Sequence, residues 1–149
     1  MTTRESILNS IETILKTISV SNGYLSNPRY VSRQLITLDK IPDTVFPAIL
    51  IEDLDEVDIL YKTGGVATVV FELNIRMITK AEYSNNSTQI NNLDNDIMRA
   101  ISTDNTLGSK VSHVTVIERT SVKLEDSYPY IESNRKLHIT YDGNVSTGF

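Results

Sequence analysis

The sequence predicts an α+β domain, a mixed or mainly antiparallel sheet of about five strands with two helices packed on one face, in the order α-β-β-β-α-β-β. Three observations carry that expectation. Two segments, one ending near Ile18 and one centred on Leu93, repeat apolar residues at helical spacing. Around them lie stretches of two-residue alternation and short apolar runs, the signature of strands. The chain has 149 residues, 40% of them hydrophobic and 22% charged. That suits a single domain, 1–149, able to bury a true core.

The first helix places Ile7, Leu8, Ile11, Ile14, Leu15 and Ile18 on one stripe, with Glu5, Asn9, Glu12 and Lys16 opposite. Thr2 followed by Glu5 fits a capping box, and Asn22-Gly23 supplies the stop. Asn27-Pro28 opens a turn into a first strand, Tyr30 to Ile36, and Pro42 and Pro47 mark a loop. Ala48 to Glu52 is a short apolar strand, expected to be covered on both faces. Asp53 to Tyr61 is acidic and reads as a loop ending in the turn Thr63-Gly64-Gly65.

Val66 to Lys80 alternates Ala67, Val69, Phe71, Leu73, Ile75 and Met77 with more polar neighbours. At about 3.3 Å per residue such a strand outruns the core of a small domain, so part of it should bulge or protrude. Phe71 belongs to the buried parity. Ser87 or Asn86 caps a second helix carrying Ile90, Leu93, Ile97 and Ile101, which ends at Asp104-Asn105 and Gly108. Val111 to Val122 reads as a strand and Lys123 to Arg135 as a tyrosine-bearing connection. Lys136 to Tyr141 is the last strand, and Asp142 to Phe149 a flexible tail.

Chemistry is sparse. There is no Cys, so disulfides and thiolate chemistry are excluded. Fourteen Lys and Arg against 19 Asp and Glu give a net charge of −5, and the dispersed cations form no broad basic face for nucleic acid. The amphipathic start is not a signal-peptide core, and no apolar run approaches the ~20 residues that span a bilayer. His113 and His138 read as solvent-facing strand residues without a nucleophile motif, and two histidines fall short of a zinc site. The acids from Glu52 to Asp58 do not match a calcium loop, since position five is Val57 and position twelve Gly64. Asp94 and Asp96 also lack ligand geometry, since they lie inside the helical stripe with Met98 next, and the acids from Glu52 to Asp58 read as a solvated face. Gly64-Gly65 precedes a strand and lacks the Gly-Lys-Ser/Thr of a phosphate loop. No catalytic, cofactor-binding or metal-binding residue is assigned, and the expectation is a protein that is not an enzyme and needs no cofactor.

The whole-chain arrangement resembles the tail terminator proteins of tailed bacteriophages. The likeness rests on the N-terminal helix, Phe46-Pro47-Ala48-Ile49-Leu50-Ile51 entered through proline, and the long strand Val66 to Lys80. It continues through Leu93-Asp94-Asn95-Asp96-Ile97, Ala100-Ile101, Leu107-Gly108, Val114 to Arg119 and Leu137-His138-Ile139-Thr140-Tyr141, covering residues 3 to 142. The resemblance implies a virion structural protein, a homohexameric ring that caps the tail tube, stops its polymerisation and joins tail to head. Its implied partners are further copies of itself, the tail tube protein, the head-neck connector and the tail sheath, with DNA passing through without specific binding. It would reside in the virion neck, and in host cytoplasm during assembly. A head-side neck connector is the alternative, and an unrelated small intracellular binding domain a more distant one. Within a ring, Asp53, Asp55, Glu56 and Asp58 are candidates to line the lumen and repel DNA. Glu72, Arg76, Tyr128 and Tyr130 are candidates for the subunit interface, tyrosine being enriched in interfaces.

Overall fold

The computed structural model describes residues 2–120 and 129–147. Helix α1 spans Thr3–Lys16, and the Thr2 hydroxyl accepts from the Glu5 amide at 3.2 Å, as the capping pattern predicts. It ends before Ile18 because the Thr17 hydroxyl donates to the Ile14 carbonyl at 2.6 Å, taking up a terminal acceptor. Asn22-Gly23 closes a separate 3-10 turn, Val20–Asn22, with Gly23 left-handed at φ +88°. Ile18 is buried nonetheless.

Five strands flank the second helix, α2 (Asn86–Thr103): β1 (Tyr30–Ser32), β2 (Ala48–Tyr61) and β3 (Val66–Lys80) before it, β4 (His113–Arg119) and β5 (Tyr130–Asn144) after it. They form one sheet in the order β1-β2-β3-β5-β4, with β1 parallel to β2 and every other pair antiparallel. The chain is therefore α+β with a mixed sheet, as its periodicities predict. The parity of β3 sorts the two sides. Val69, Phe71, Leu73, Ile75 and Met77 join one core with Ile7, Leu8, Ile11 and Leu15 of α1 and Ile90, Leu93 and Ile97 of α2, so both helices lie on one face. The Phe71 ring is fully buried, edge-on to Tyr141 at 5.9 Å.

On the other face, Ala48 and Leu50 of β2 and Ile78 of β3 are covered by Ile41, Phe46 and Tyr130 in a second, smaller cluster. The short apolar strand is thus buried on both sides, since Ile49 and Ile51 belong to the main core.

Strand boundaries differ from the sequence reading: β1 ends at Ser32 and not at Ile36, and β4 begins at His113 and not at Val111. Asp53 to Tyr61 is no loop: it continues β2, because β3 is long enough to pair with it as far as Tyr61↔Ala67. The expected irregularity lies in this arm and not in β3, with register shifts between Asp53 and Glu56 and between Glu56 and Asp58. Strand β5 is 15 residues long, beginning at Tyr130 and running through Asp142, Gly143 and Asn144, because β3 pairs with it along its whole length.

Candidate functional site

The acidic arm of β2 is anchored from below by one cation. Arg4, in the first turn of α1, lies over the Phe71 ring at 4.3 Å. Its guanidinium donates to the Asp53 carboxylate at 3.1 Å through Nε, to Glu56 Oε1 at 3.3 Å and to the Leu54 carbonyl at 2.6 Å. Asp53 and Glu56 are thereby turned toward the helix side of the sheet. Asp55 and Asp58 are exposed, and among the described residues no cation lies within ion-pair distance of either. Beyond them Val57, Leu60 and Tyr61 are 51%, 61% and 66% exposed, an unusual concentration of large apolar side chains on one arm. The four acids are brought onto one strand segment, but only two of them stand clear of a counter-charge.

Glu72 and Arg76 lie on the uncovered face, in the middle of the central strand, and their partners are in their own sheet. Arg76 binds Glu132 at 2.7 Å and approaches Glu52 at 3.5 Å, while Glu72 faces Lys136 and His138, each at 3.8 Å. Flanked by paired strands on both sides, they are not at an edge, and they reach a neighbouring molecule only through the face of the sheet. Tyr130, read from the sequence as a surface residue, is 9% exposed, its ring 5.2 Å from Phe46 inside the second cluster. Tyr128 lies outside the described residues.

The uncovered face is polar and acid-rich across its middle. Glu52, Glu72, Glu118 and Glu132 surround Arg76 and Lys136, the latter 3.7 Å from Glu118. His138 is half-buried beside Glu72, and His113 is exposed on β4. Among the described residues, no group of three His, Asp or Glu side chains is placed to hold a metal ion.

Asp94 and Asp96, which the sequence sets inside the α2 stripe, are both buried. Asp94 takes a two-point contact from Arg135 at 2.9 and 2.6 Å, with Arg119 at 3.7 Å. Asp96 is fully buried and accepts from the Leu25 amide at 3.0 Å and the Ser26 hydroxyl at 2.6 Å, fixing the segment that leads to β1. The signal was present in the stripe, since Asp94 stands four residues after Ile90 and three before Ile97. Elsewhere the Arg33 guanidinium, hydrogen-bonded to Glu5 at 2.8 Å, holds the Glu5 carboxyl below its ordinary range. The Thr68 hydroxyl, with Lys62 behind it, does the same for Asp142.

Both outer strands leave backbone open. Among the described residues, strand β1 pairs with β2 only at Ala48–Leu50, and β4 has β5 on one side alone. Val116 and Ile117 on β4 are 42% and 44% exposed.

No protein-family model matches the chain, and no curated protein matches it. Among solved structures, a chain of the virion of a native gene transfer agent (GTA) particle is similar at 11% identity and a TM-score of 0.45, over 89% of this chain and 92% of that one.

Proposed function

We propose that the chain is a virion structural protein of the phage neck, a tail terminator whose copies close into a ring on the end of the tail tube. The ring stops tube growth, offers its other side to the head-neck connector, and lets DNA through without binding it. The observation that carries this reading is the distal arm of β2, where open backbone, unpaired carboxylates and exposed Val57, Leu60 and Tyr61 coincide. A chain that works alone has reason to cover such an arm, whereas one that works in an assembly has reason to present it. The sequence resemblance to tail terminators supplies the identity of the assembly. Asp55 and Asp58, together with the glutamate-rich face behind them, would rim the channel and keep DNA phosphate from adhering.

Polymerising tail tube protein in the presence of this chain tests the proposal. Tubes should stop growing and carry a ring at one end in electron micrographs. Tubes that elongate as they do without it, with no density at either end, would remove the terminator reading.

A further inference from the structure

Following the register across the sheet connects its two open edges. His113 of β4 pairs with Thr140, Thr140 with Val70, and Val70 with Asp58 of β2. Arg119 pairs with Arg135, Arg135 with Ile75, and Ile75 with Ile51. Strand β4 therefore stands at the same height as Ile51–Asp58, on the opposite edge. That stretch begins where the β1 ladder ends, at Leu50, and of its backbone acceptors the Leu54 carbonyl is taken by Arg4. Three antiparallel pairings separate the two strands, so β4 also runs opposite to β2.

We infer that β4 of one copy docks antiparallel against the open Ile51–Asp58 edge of β2 of the next. The occupant of the β2 edge is thus a second copy of this chain, which deepens the ring reading and rests on it. Matched height means that successive copies are related sideways with no rise along the strands, the condition for head-to-tail contacts to close into a ring and not climb into a filament. Charge complementarity selects the pairing. The β2 edge carries Asp53, Asp55, Glu56 and Asp58, with Arg4 answering only the first and third. The β4 side brings Lys110 and the imidazole of His113, Arg119 being held within the subunit by Asn91 and Asp94, while its single acid, Glu118, lies 3.7 Å from Lys136; the matched height sets His113 opposite Asp58. Pairing two β2 edges would instead oppose two acidic runs, so the same carboxylates that favour β4 disfavour a symmetric dimer. Val57 on one side and Val116 and Ile117 on the other supply apolar contact. Both segments are bulged, β2 at Glu56 and β4 between Val116 and Glu118, which discourages pairing with unrelated strands and leaves the edge selective.

The test uses two full-length variants altered only at exposed positions. Val116→Lys with Ile117→Lys blocks the β4 edge, and Asp55→Lys with Val57→Lys blocks the β2 edge. Light scattering after size exclusion, over micromolar to millimolar concentration, should find wild type in rings and each variant monomeric. An equimolar mixture should give a species of twice the subunit mass and nothing larger, because each partner retains one competent edge. Thermal melts check that both variants are folded; if lysine unfolds either, Val116→Thr with Ile117→Thr and Val57→Ser take their place, with weakened rings expected. Variants that still form rings, or folded variants whose mixture stays monomeric, overturn the edge pairing while leaving the ring reading standing. Wild type that remains monomeric throughout, alone and with tail tube protein, overturns both.

Discussion

The chain holds two acidic groups of opposite fate. On α2, Asp94 and Asp96 sit beneath the surface, each with its oxygens taken up by named donors. On β2, Asp55 and Asp58 stand in solvent with no cation among the described residues, and Asp53 and Glu56 share one guanidinium. The difference teaches that the same residue type organises the inside of the fold in one place and faces a partner in the other. The buried pair fixes geometry: Asp94 ties α2 to β5, and Asp96 ties α2 to the segment before β1. The exposed group fixes nothing within the subunit except the seat of Arg4.

The largest expected effect falls on the buried side. Asp94→Ala leaves the Arg135 guanidinium, itself little exposed, without its two-point partner. Removing one member of such a pair should cost about 3–5 kcal/mol, measured by urea unfolding; a loss near zero would mean that Arg135 finds another acceptor. Asp96→Ala should cost about 1–3 kcal/mol by orphaning the Leu25 amide and the Ser26 hydroxyl. Its signature is local, with faster hydrogen exchange at Leu25 and Ser26 than elsewhere. Uniform exchange changes would mean that Asp96 does not fix this segment locally.

How far the sequence carried the reading follows the same line. Periodicity was legible wherever one face is buried against helices, so β3, both helix stripes and the burial of Phe71 were readable. The acidic arm of β2 was not, because charge masks strand pattern when a strand has solvent on both faces and its partner, β3, is what holds it extended. Tyr130 looked like surface because the ring that buries it, Phe46, belongs to a loop far away in sequence. Arg4 gave no local sign of its role, since Asp53 and Phe71 reach it only through the sheet. The candidate site was legible as a list of carboxylates and illegible as an edge, for edges are properties of topology.

Arg4 sharpens the comparison at intermediate size. Arg4→Ala removes a cation over Phe71 and two partly exposed ion pairs, which should cost about 1–2 kcal/mol in all. A cost as large as that of Asp94→Ala would place Asp53 and Glu56 with the buried group after all. Acid titration offers a parallel reading. Glu5 and Asp142 have folded-state values held below their ordinary range, by Arg33 and by Thr68. A depressed carboxylate stabilises the fold above its unfolded value, about 4, and that stabilisation is lost as pH falls through the lower folded value. Melting temperature should hold from neutrality to mild acidity and fall below about pH 4, and Glu5→Gln should blunt that fall.

The smallest effect on stability is expected where the consequence for assembly is greatest. Asp55→Asn with Asp58→Asn alters two exposed side chains that no cation among the described residues holds, so the melt should shift by no more than about 0.5 kcal/mol equivalent. Two consequences of neutralisation then separate two roles for the same carboxylates. If they rim a channel, rings of the variant should retain DNA, with retention weakening as salt rises because the contact is with phosphate. If they select β4 over a second β2, the variant should instead populate symmetric dimers, since the repulsion that forbids them is gone, and DNA should pass as before. Cross-linking through a Cys introduced at Val57 distinguishes the dimer directly: β2-to-β2 pairing brings two such sulfurs together, whereas β4-to-β2 pairing does not. A variant that behaves as wild type in melting, DNA retention and cross-linking would make this arm an ordinary solvated surface.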